Sequence, residues 1–234
     1  MFLVFNDRPS DSPYIERVWR CHSERAGQFH SIASPHWEMA VSRLKGRIFL
    51  TIRGPETRAT LADCPAEGEW FGIRFKLGTF MPSLPVSALI DRNDKDMPDM
   101  TGLGFWLDGM QWEYPDFETA EVFVSRLVKR GLITRNQAIT EGLAGDERAL
   151  SRRSAQRHFR QATGMTHSTF QQIERARCAV QLLRNGHSIL DTVHEAGFFD
   201  QSHLTRALKH LIGQTPAHVQ RQDEQLSFLY KTNP

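Results

Sequence analysis

The stretch Ser188–His210 constrains the fold more than any other part of the chain, because it predicts two short helices joined by a tight turn. Ser188 is a suitable N-cap for the first helix, and Asp200 can cap the second. Gly197 lies between them, where a sharp turn favours a residue that tolerates a positive φ. The apolar Phe198 follows the glycine and is predicted to fill the space between the two helices.

The second helix of this pair has one apolar side and one polar side. The apolar side consists of Leu204, Ala207, Leu208 and Leu211. The polar side carries amide, hydroxyl, imidazole and cationic groups, on Gln201, Ser202, His203, Thr205, Arg206 and Lys209. Such a face suits the DNA major groove, where Arg pairs with guanine and Gln with adenine. An ordinary surface helical hairpin has the same pattern, so the pair alone leaves both interpretations open.

Charge is divided unevenly along the 234 residues. Residues 1–122 hold 13 Lys or Arg against 18 Asp or Glu, whereas residues 123–222 hold 15 against 7. An acidic half joined to a basic half indicates that the second half meets a polyanion while the first does something else. A basic surface without a partner is the alternative, and it is weakened because the change in charge coincides with a change in hydrophobic period.

The first 80 residues alternate between apolar and polar side chains, as half-buried strands do. Strands are predicted at residues 14–21, 37–44, 47–53 and 70–77, with another at the very start of the chain. Gly46 separates two of these strands at hairpin spacing. The spacing predicts an antiparallel sandwich or barrel.

The second half of the chain has a helical period. One helix is predicted to end before Gly131, and a short helix is predicted to follow a Thr134 cap. Two capped helices, Ser151–Gly164 and Asp200–Gly213, share an outward face of basic and amide groups, and a longer helix at about 168–184 joins them. We call these two capped helices the first and second recognition helices.

The sequence RARCAVQLL at 175–183, followed by AGFFDQSHLTRALKHLIGQTP at 196–216, resembles the AraC/XylS family of transcription regulators. The resemblance covers about residues 134–222 and rests on many fixed spacings. It implies two helix-turn-helix units that place their second helices in successive major-groove segments on one face of the DNA. The N-terminal half resembles, less specifically, the β-rich sensing domains that precede such regulators.

The resemblance also implies the DNA-binding residues. The outward positions are Arg153, Gln156 and Arg157 on the first recognition helix, with Gln201, Ser202 and Arg206 on the second. The sequence leaves open which arginine contacts a base and which contacts a phosphate. Three further cations, Arg152, Arg160 and Lys209, are better suited to phosphates. Two departures from the family pattern concern packing: Ala155 is smaller than usual, and Thr192-Val193 stands where an apolar residue and an alanine are usual, so Val193 is expected to push its two helices slightly apart.

The predicted fold class is a two-domain α+β protein, with an N-terminal antiparallel β sandwich or cupin-like barrel and a C-terminal all-α double helix-turn-helix. The predicted division is a β-rich effector or dimerisation domain at 1–115, a connecting helix at 116–133, the DNA-binding domain at 134–222 and a tail at 223–234. The leading hypothesis is a sequence-specific, one-component transcription regulator. Its expected partners are double-stranded DNA, a small-molecule effector and a second copy of the chain.

A second hypothesis is a cupin-like metalloenzyme fused to a helical module, with His22, His30, His36 and Glu38 as candidate ligands. Their spacing does not match the close His-x-His pattern of cupin metal sites, which favours surface or hydrogen-bonded histidines. The sequence contains no Gly-rich phosphate loop, Ser nucleophile elbow or HExxH motif. We therefore expect a protein that is not an enzyme and that needs no cofactor or metal.

A third hypothesis makes the first half a dimerisation module without a ligand. A pocket lined by the Trp and Arg residues would favour an effector, whereas a filled interior would favour dimerisation alone. Arg43 and Arg74 lie on predicted strands, where they either face inward and bind an anionic ligand or lie on the solvated face.

The three cysteines, Cys21, Cys64 and Cys178, are far apart and odd in number, which predicts free thiols in a reducing cytoplasm. No apolar run approaches the length of a membrane span, so no membrane partner is expected.

Overall fold

The structure, a computed structural model, describes residues 3–91, 95–100, 102–136, 156–157, 159–160 and 163–221. Its twelve described strands lie in the first 135 residues, which we call the β domain. They are β1 (Leu3–Pro9), β2 (Ile15–Ser23), β3 (Gly27–Ser31), β4 (Glu38–Leu44), β5 (Arg47–Arg53), β6 (Thr60–Cys64), β7 (Glu69–Phe75), β8 (Thr79–Phe80), β9 (Lys95–Asp96), β10 (Phe105–Leu107), β11 (Met110–Trp112) and β12 (Thr134–Arg135). The named helices are α1 (Ala120–Lys129), α2 (His167–Arg184), α3 (Ile189–Glu195), α4 (Gln201–Leu211) and α5 (Pro216–Arg221), with a 3-10 turn at Val86–Ala88.

Six strands form one antiparallel sheet in the order β1-β2-β7-β4-β5-β9. The turn between β4 and β5 is the two-residue hairpin predicted at Gly46, because Lys45 and Gly46 both have positive φ. The strand predictions at 37–44 and 47–53 are confirmed almost to the residue. Each of these strands presents alternate residues to the two faces of the sheet, so the sheet can be covered on both sides.

One face of the sheet packs against α1. The buried side chains of Leu50, Ile73 and Phe75 meet Ala120 and Leu127 of this helix in a single apolar cluster. This burial fixes α1 on the β domain, because removing a large side chain from such a core costs about 2–5 kcal/mol.

An ion pair also holds α1 against the sheet. The guanidinium of Arg8 on β1 donates from Nη1 to Oε1 of Glu121 at 2.6 Å and from Nη2 to Oε2 at 2.9 Å. The hydroxyl of Ser10 donates to the same carboxylate at 2.8 Å. These hydrogen bonds stabilise the ionised form and lower the pKa of Glu121 to about 2.

The other face of the sheet meets an antiparallel pair of strands, β3 with β6, which we call the β3–β6 ribbon. Trp19, Cys21 and Ala40 are buried on this face, and Phe5 and Trp70 pack against them. The ribbon and the sheet form two layers with a cavity between them that is partly open to solvent. The sequence prediction did not include either ribbon strand.

The helical part, residues 156–221, is built around α2. Its buried stripe includes Ile173, Ala176, Val180 and Leu183, which pack in one cluster with the apolar sides of α3 and α4. Ile32 from the β domain belongs to the same cluster, so the two parts of the molecule share an apolar contact. The long helix predicted at about 168–184 is confirmed.

The predicted two-domain α+β class is confirmed, with antiparallel strands first and helices second. Thr134, predicted to cap a short helix, instead pairs with Phe80 as part of β12, so the chain returns to the β domain after α1. The body of that predicted helix, the polar segment after it and the predicted start of the first recognition helix lie outside the described residues. The domain division at 115, 133 and 222 stays a prediction. Every helix in the described part of the chain is too short or too polar to cross a membrane.

Candidate nucleic-acid interface

The second predicted helix-turn-helix unit is formed by α3 and α4, and local hydrogen bonds define both helix starts. The Ser188 hydroxyl accepts from the backbone N–H of Asp191 at 3.1 Å, and the Asp200 carboxylate accepts from the N–H of His203 at 2.6 Å. Each bond satisfies a donor that the first turn of a helix leaves unpaired. The two caps are therefore where the sequence predicts them.

The turn between the helices has the Schellman geometry that the glycine predicts. Gly197 has φ +70°, the N–H of Phe198 donates to the carbonyl of Val193 at 2.8 Å, and the N–H of Gly197 donates to the carbonyl of His194 at 3.2 Å. Phe198 is buried in the helical core, as predicted. Arg175 on α2 holds this turn, because its guanidinium donates to the Gly197 carbonyl at 3.2 Å and lies 5.5 Å from the centre of the Phe198 ring.

The atypical pair Thr192-Val193 fits inside the unit. Both residues are buried, and the Thr192 hydroxyl donates to the carbonyl of Ser188 at 2.9 Å. A buried hydroxyl that has a partner avoids the desolvation penalty of an unsatisfied group. The threonine therefore takes the place of an apolar residue without leaving a buried hydroxyl unpaired.

The outward face of α4 is open to solvent. Its predicted DNA-contacting residues are all exposed: Gln201, Ser202, Arg206 and Lys209. On the opposite side, Leu204, Leu208 and Leu211 are buried, as predicted. No hydrogen bond or ion pair joins the four exposed side chains to any other residue that the structure describes, so their amide, hydroxyl and cationic groups remain available to a ligand. The face has the chemistry that base edges and phosphates require.

The described part of the first recognition helix shows the same division. Residues 156, 157, 159, 160 and 163 have helical backbone. Gln156, Arg157 and Arg160 are exposed, whereas Phe159 is buried at 6% exposure against Phe170, with ring centres 5.6 Å apart. The other predicted contact on this helix, Arg153, lies outside the described residues, as do Arg152 and Ala155.

Sequence reasoning overlooked one prominent residue of the interface. Phe199 is 90% exposed, directly before the Asp200 cap, while its neighbour Phe198 is buried. Its backbone N–H donates to Nδ1 of His203 at 3.3 Å, which ties the residue to the first turn of α4. The N-terminal end of a recognition helix is the part that contacts base edges. The sequence did contain a signal for this residue: Phe198 and Phe199 are adjacent, and two adjacent side chains at this turn cannot both face the core.

A cavity of about 270 Å³ lies between the sheet and the β3–β6 ribbon of the β domain. Its walls are partly aromatic and partly polar. They consist of Leu3, Trp19, Cys21, Phe29, Ala40, Ser42, Thr51, Arg53, Ala62, Asp63, Cys64 and Trp70. Burial raises the pKa of the Cys21 thiol to about 12 and also raises that of Cys64, so both thiols are protonated at neutral pH.

The two arginines considered for an inward site differ in position. Arg74 is buried and pairs with Glu38, with the carboxylate 2.5 Å from Nη2 and 2.6 Å from Nε. The guanidinium lowers the pKa of Glu38 even though burial opposes this effect. Arg43 is exposed and lines an open groove on the α1 side of the sheet. Arg53, which was not singled out, is the arginine that lines the cavity.

The four candidate metal ligands do not converge. His36 is buried, with Nδ1 2.9 Å from the carbonyl of Phe75 and 3.1 Å from Glu16, and burial lowers its pKa. Glu38 is paired with Arg74, His30 lies beside the helical part, and His22 is exposed on the other face of the sheet. In the described ranges no three His, Cys, Asp or Glu side chains are grouped so that they could hold a metal ion.

In a comparison with known protein families, residues 146–222 fit the model described as a helix-turn-helix domain. The match includes both recognition helices and α2 between them. Neither the comparison with curated proteins nor the comparison with solved structures gave a match.

Proposed function

We propose that this chain is a sequence-specific, one-component transcription regulator of the AraC/XylS family, in which residues 146–222, the part that fits the helix-turn-helix model, bind DNA and the β domain binds a small-molecule effector. The observation that supports sequence-specific binding is the solvent-exposed polar face of α4. Its four polar side chains are exposed, and none of them makes a hydrogen bond or ion pair with another residue that the structure describes. Some side chains of this face would contact phosphates and position the protein on the DNA, and others would contact base edges and select the sequence.

The cavity in the β domain supports the effector rather than a dimerisation module alone. A module that serves only dimerisation has no need of a pocket between its two layers, whereas small-molecule sites are concave, mostly apolar and carry a few polar groups. Trp19, Trp70 and Phe29 supply flat apolar walls, and Ser42 and Arg53 supply polar groups. A compact effector with an apolar or aromatic body and a hydrogen-bonding or acidic group fits this lining.

Selection of duplexes from a random-sequence library with the full-length protein tests sequence-specific binding. We expect a defined operator to be enriched and to give a gel shift. Arg206→Ala and Arg157→Ala should each reduce its affinity or relax its base preference. If the selected pool stays random, or if both variants bind the operator like the wild type, the assignment is wrong.

A thermal-shift screen with metabolites tests the effector, because a ligand that binds only the native state raises its melting temperature. Ala62→Phe would fill the cavity from β6, and Leu61→Phe is the matched control because Leu61 is the neighbouring residue and is 59% exposed. We expect a metabolite that stabilises the wild type and Leu61→Phe but not Ala62→Phe. Equal stabilisation of all three proteins would place the ligand elsewhere.

A further inference from the structure

The C-terminal end of the second recognition helix is held by the backbone of the β domain. Pairing of β3 with β6 ends at the last residue of β3, and the chain just beyond it turns its amides to the helix. The N–H of Ala33 donates to the carbonyl of Leu211 at 2.8 Å, and the N–H of Ala59 donates to the carbonyl of His210 at 2.8 Å. The last carbonyls of a helix have no partner within the helix, so these two amides complete the end of α4.

The side chain of His30, on the same ribbon, contacts Gly213, which follows the end of α4. Gly213 has φ +84°, and a Cβ added there would lie 2.5 Å from Nδ1 and 2.9 Å from Cγ of His30 on β3. That separation is shorter than a van der Waals contact. The imidazole therefore lies directly against the backbone of Gly213, and only a residue without a side chain lets it approach so closely.

The first recognition helix ends in the same way against a different part of the β domain. Gly164 has φ +75°, and its N–H donates to the carbonyl of Arg160 at 2.8 Å. A Cβ added at this glycine would lie 2.5 Å from Cδ1 of Ile90 and 3.1 Å from Cα of Ser87. The two helices thus end on corresponding left-handed glycines, and the β domain contacts both.

These contacts lie at the C-terminal ends of the helices and leave their outward faces exposed. Within the helical part the two helices are connected through α2, whereas the β domain adds contacts at the C-terminal end of each helix. We propose that the β domain is a positioning element for DNA binding: through His30, Ile90 and the backbone amides of Ala33 and Ala59 it fixes the distance between the recognition helices, and so the operator spacing that the protein accepts. This inference rests on the proposed function.

The ribbon also places this contact next to the cavity. Strand residues alternate between faces, so Phe29 and Ala62 line the cavity while His30, between Phe29 and the end of β3, contacts Gly213. An effector that shifts the ribbon would move the end of α4 relative to Gly164. Occupancy of the cavity is then converted into a change of spacing between two helices.

The test uses the selected operator and two derivatives, one with a base pair inserted between the two contacted segments and one with a base pair deleted. Gly213→Asn introduces a Cβ against His30, and asparagine tolerates a positive φ. Gly186→Asn is the matched control, because Gly186 also ends a helix, has φ +90° and has open space around its Cβ position. A third protein combines Gly213→Asn with His30→Ala, which removes the obstructing ring.

We expect the wild type and Gly186→Asn to prefer the original spacing by about fivefold or more, as for a lost base contact. Gly213→Asn should change this ratio by about fivefold, and addition of His30→Ala should return it toward the wild-type value. If Gly213→Asn only destabilised the folded protein, the affinity for all three duplexes would fall by the same factor. Equal effects of Gly213→Asn and Gly186→Asn, or a wild type that binds all three spacings equally, would overturn the inference while leaving sequence-specific binding intact.

Hydrogen exchange on the unmodified protein gives a result that does not depend on any variant. The amides of Ala33 and Ala59 are expected to exchange slowly, because they donate to the end of α4 although they lie outside the strand pairing. Rapid exchange of both amides would overturn the inference. Failure to select any operator would refute the proposed function and remove the basis of the inference with it.

Discussion

Arg206→Ala is expected to reduce both affinity and base preference, and the geometry of α4 sets the scale. A helix rises about 1.5 Å per residue, so Arg206 lies about 6 Å along the axis from Ser202, close to two base-pair steps of about 3.4 Å. The two side chains therefore face different base pairs. Loss of a bidentate arginine contact costs about 1–3 kcal/mol, which is about fivefold to 150-fold in the dissociation constant.

Lys209→Ala is the matched control for this prediction. Lys209 lies about 4.5 Å further along the same exposed face, toward the edge of the groove, where a phosphate contact is expected. Its loss should weaken binding to every duplex alike and reduce the slope of log K against log salt by about 0.9. Both side chains are exposed and make no hydrogen bond or ion pair with other described residues, so neither variant should change the free energy of unfolding by more than about 0.5 kcal/mol.

Fluorescence anisotropy with the selected operator, with single base-pair variants of it and at several salt concentrations separates the two roles. Arg206→Ala should flatten the preference at one or two adjacent positions and leave the others unchanged. An equal loss on every duplex, accompanied by a smaller salt slope, would show that Arg206 contacts phosphate. Unchanged affinity would remove the outward face of α4 from the interface.

Three further predictions concern other parts of the molecule. Glu121 has a pKa of about 2 because of Arg8, below its usual 4.5, so its stabilising effect should be complete above about pH 4.5 and fade as pH falls toward 2; urea unfolding of Glu121→Gln should show a loss of about 1–2 kcal/mol at pH 7, after allowance for solvent screening, that disappears in acid. Cys178 is exposed whereas Cys21 is buried with a raised pKa, so a thiol reagent should label Cys178 first and reach Cys21 only on unfolding, as peptide mass analysis would reveal. Phe199→Ala should lower operator affinity by about threefold without lowering the melting temperature, because the exposed ring can contact a thymine methyl group; an unchanged affinity would place the ring outside the interface.

The second helix-turn-helix unit could be predicted from the sequence because its signals are local. The caps Ser188 and Asp200 and the turn glycine Gly197 each act on backbone groups within three residues, and the structure has all three where they were predicted. The sheet strands were predicted for a similar reason, since alternation is visible within one segment. The interpretation of the second unit as a DNA-binding surface came from the resemblance to a known family and from the basic charge of the second half, because the helix pair alone left two interpretations open.

The ribbon and the cavity could not be predicted in this way. The segments of β3 and β6 are short and contain few apolar residues, and they become strands because each pairs with the other across almost 30 residues of chain. Trp19 and Trp70 meet only because β2 and β7 are neighbours in the sheet. The contact between the end of α4 and the β domain depends on the backbone amides of Ala33 and Ala59. The alanine side chain gives no sequence signal for such a role.

The contact between the end of α4 and the β domain has a consequence for engineering by domain exchange. A chimera that joins the helical part of this chain to the β domain of another regulator would keep every outward side chain of the two recognition helices. It would lose the contacts that His30, Ala33 and Ala59 of this chain make with the end of α4. Such a hybrid should recognise the same short base sequences but accept them at a different separation. Effector specificity and operator architecture are then inherited together, and a transplant that preserves both must carry the ribbon end as well as the helices.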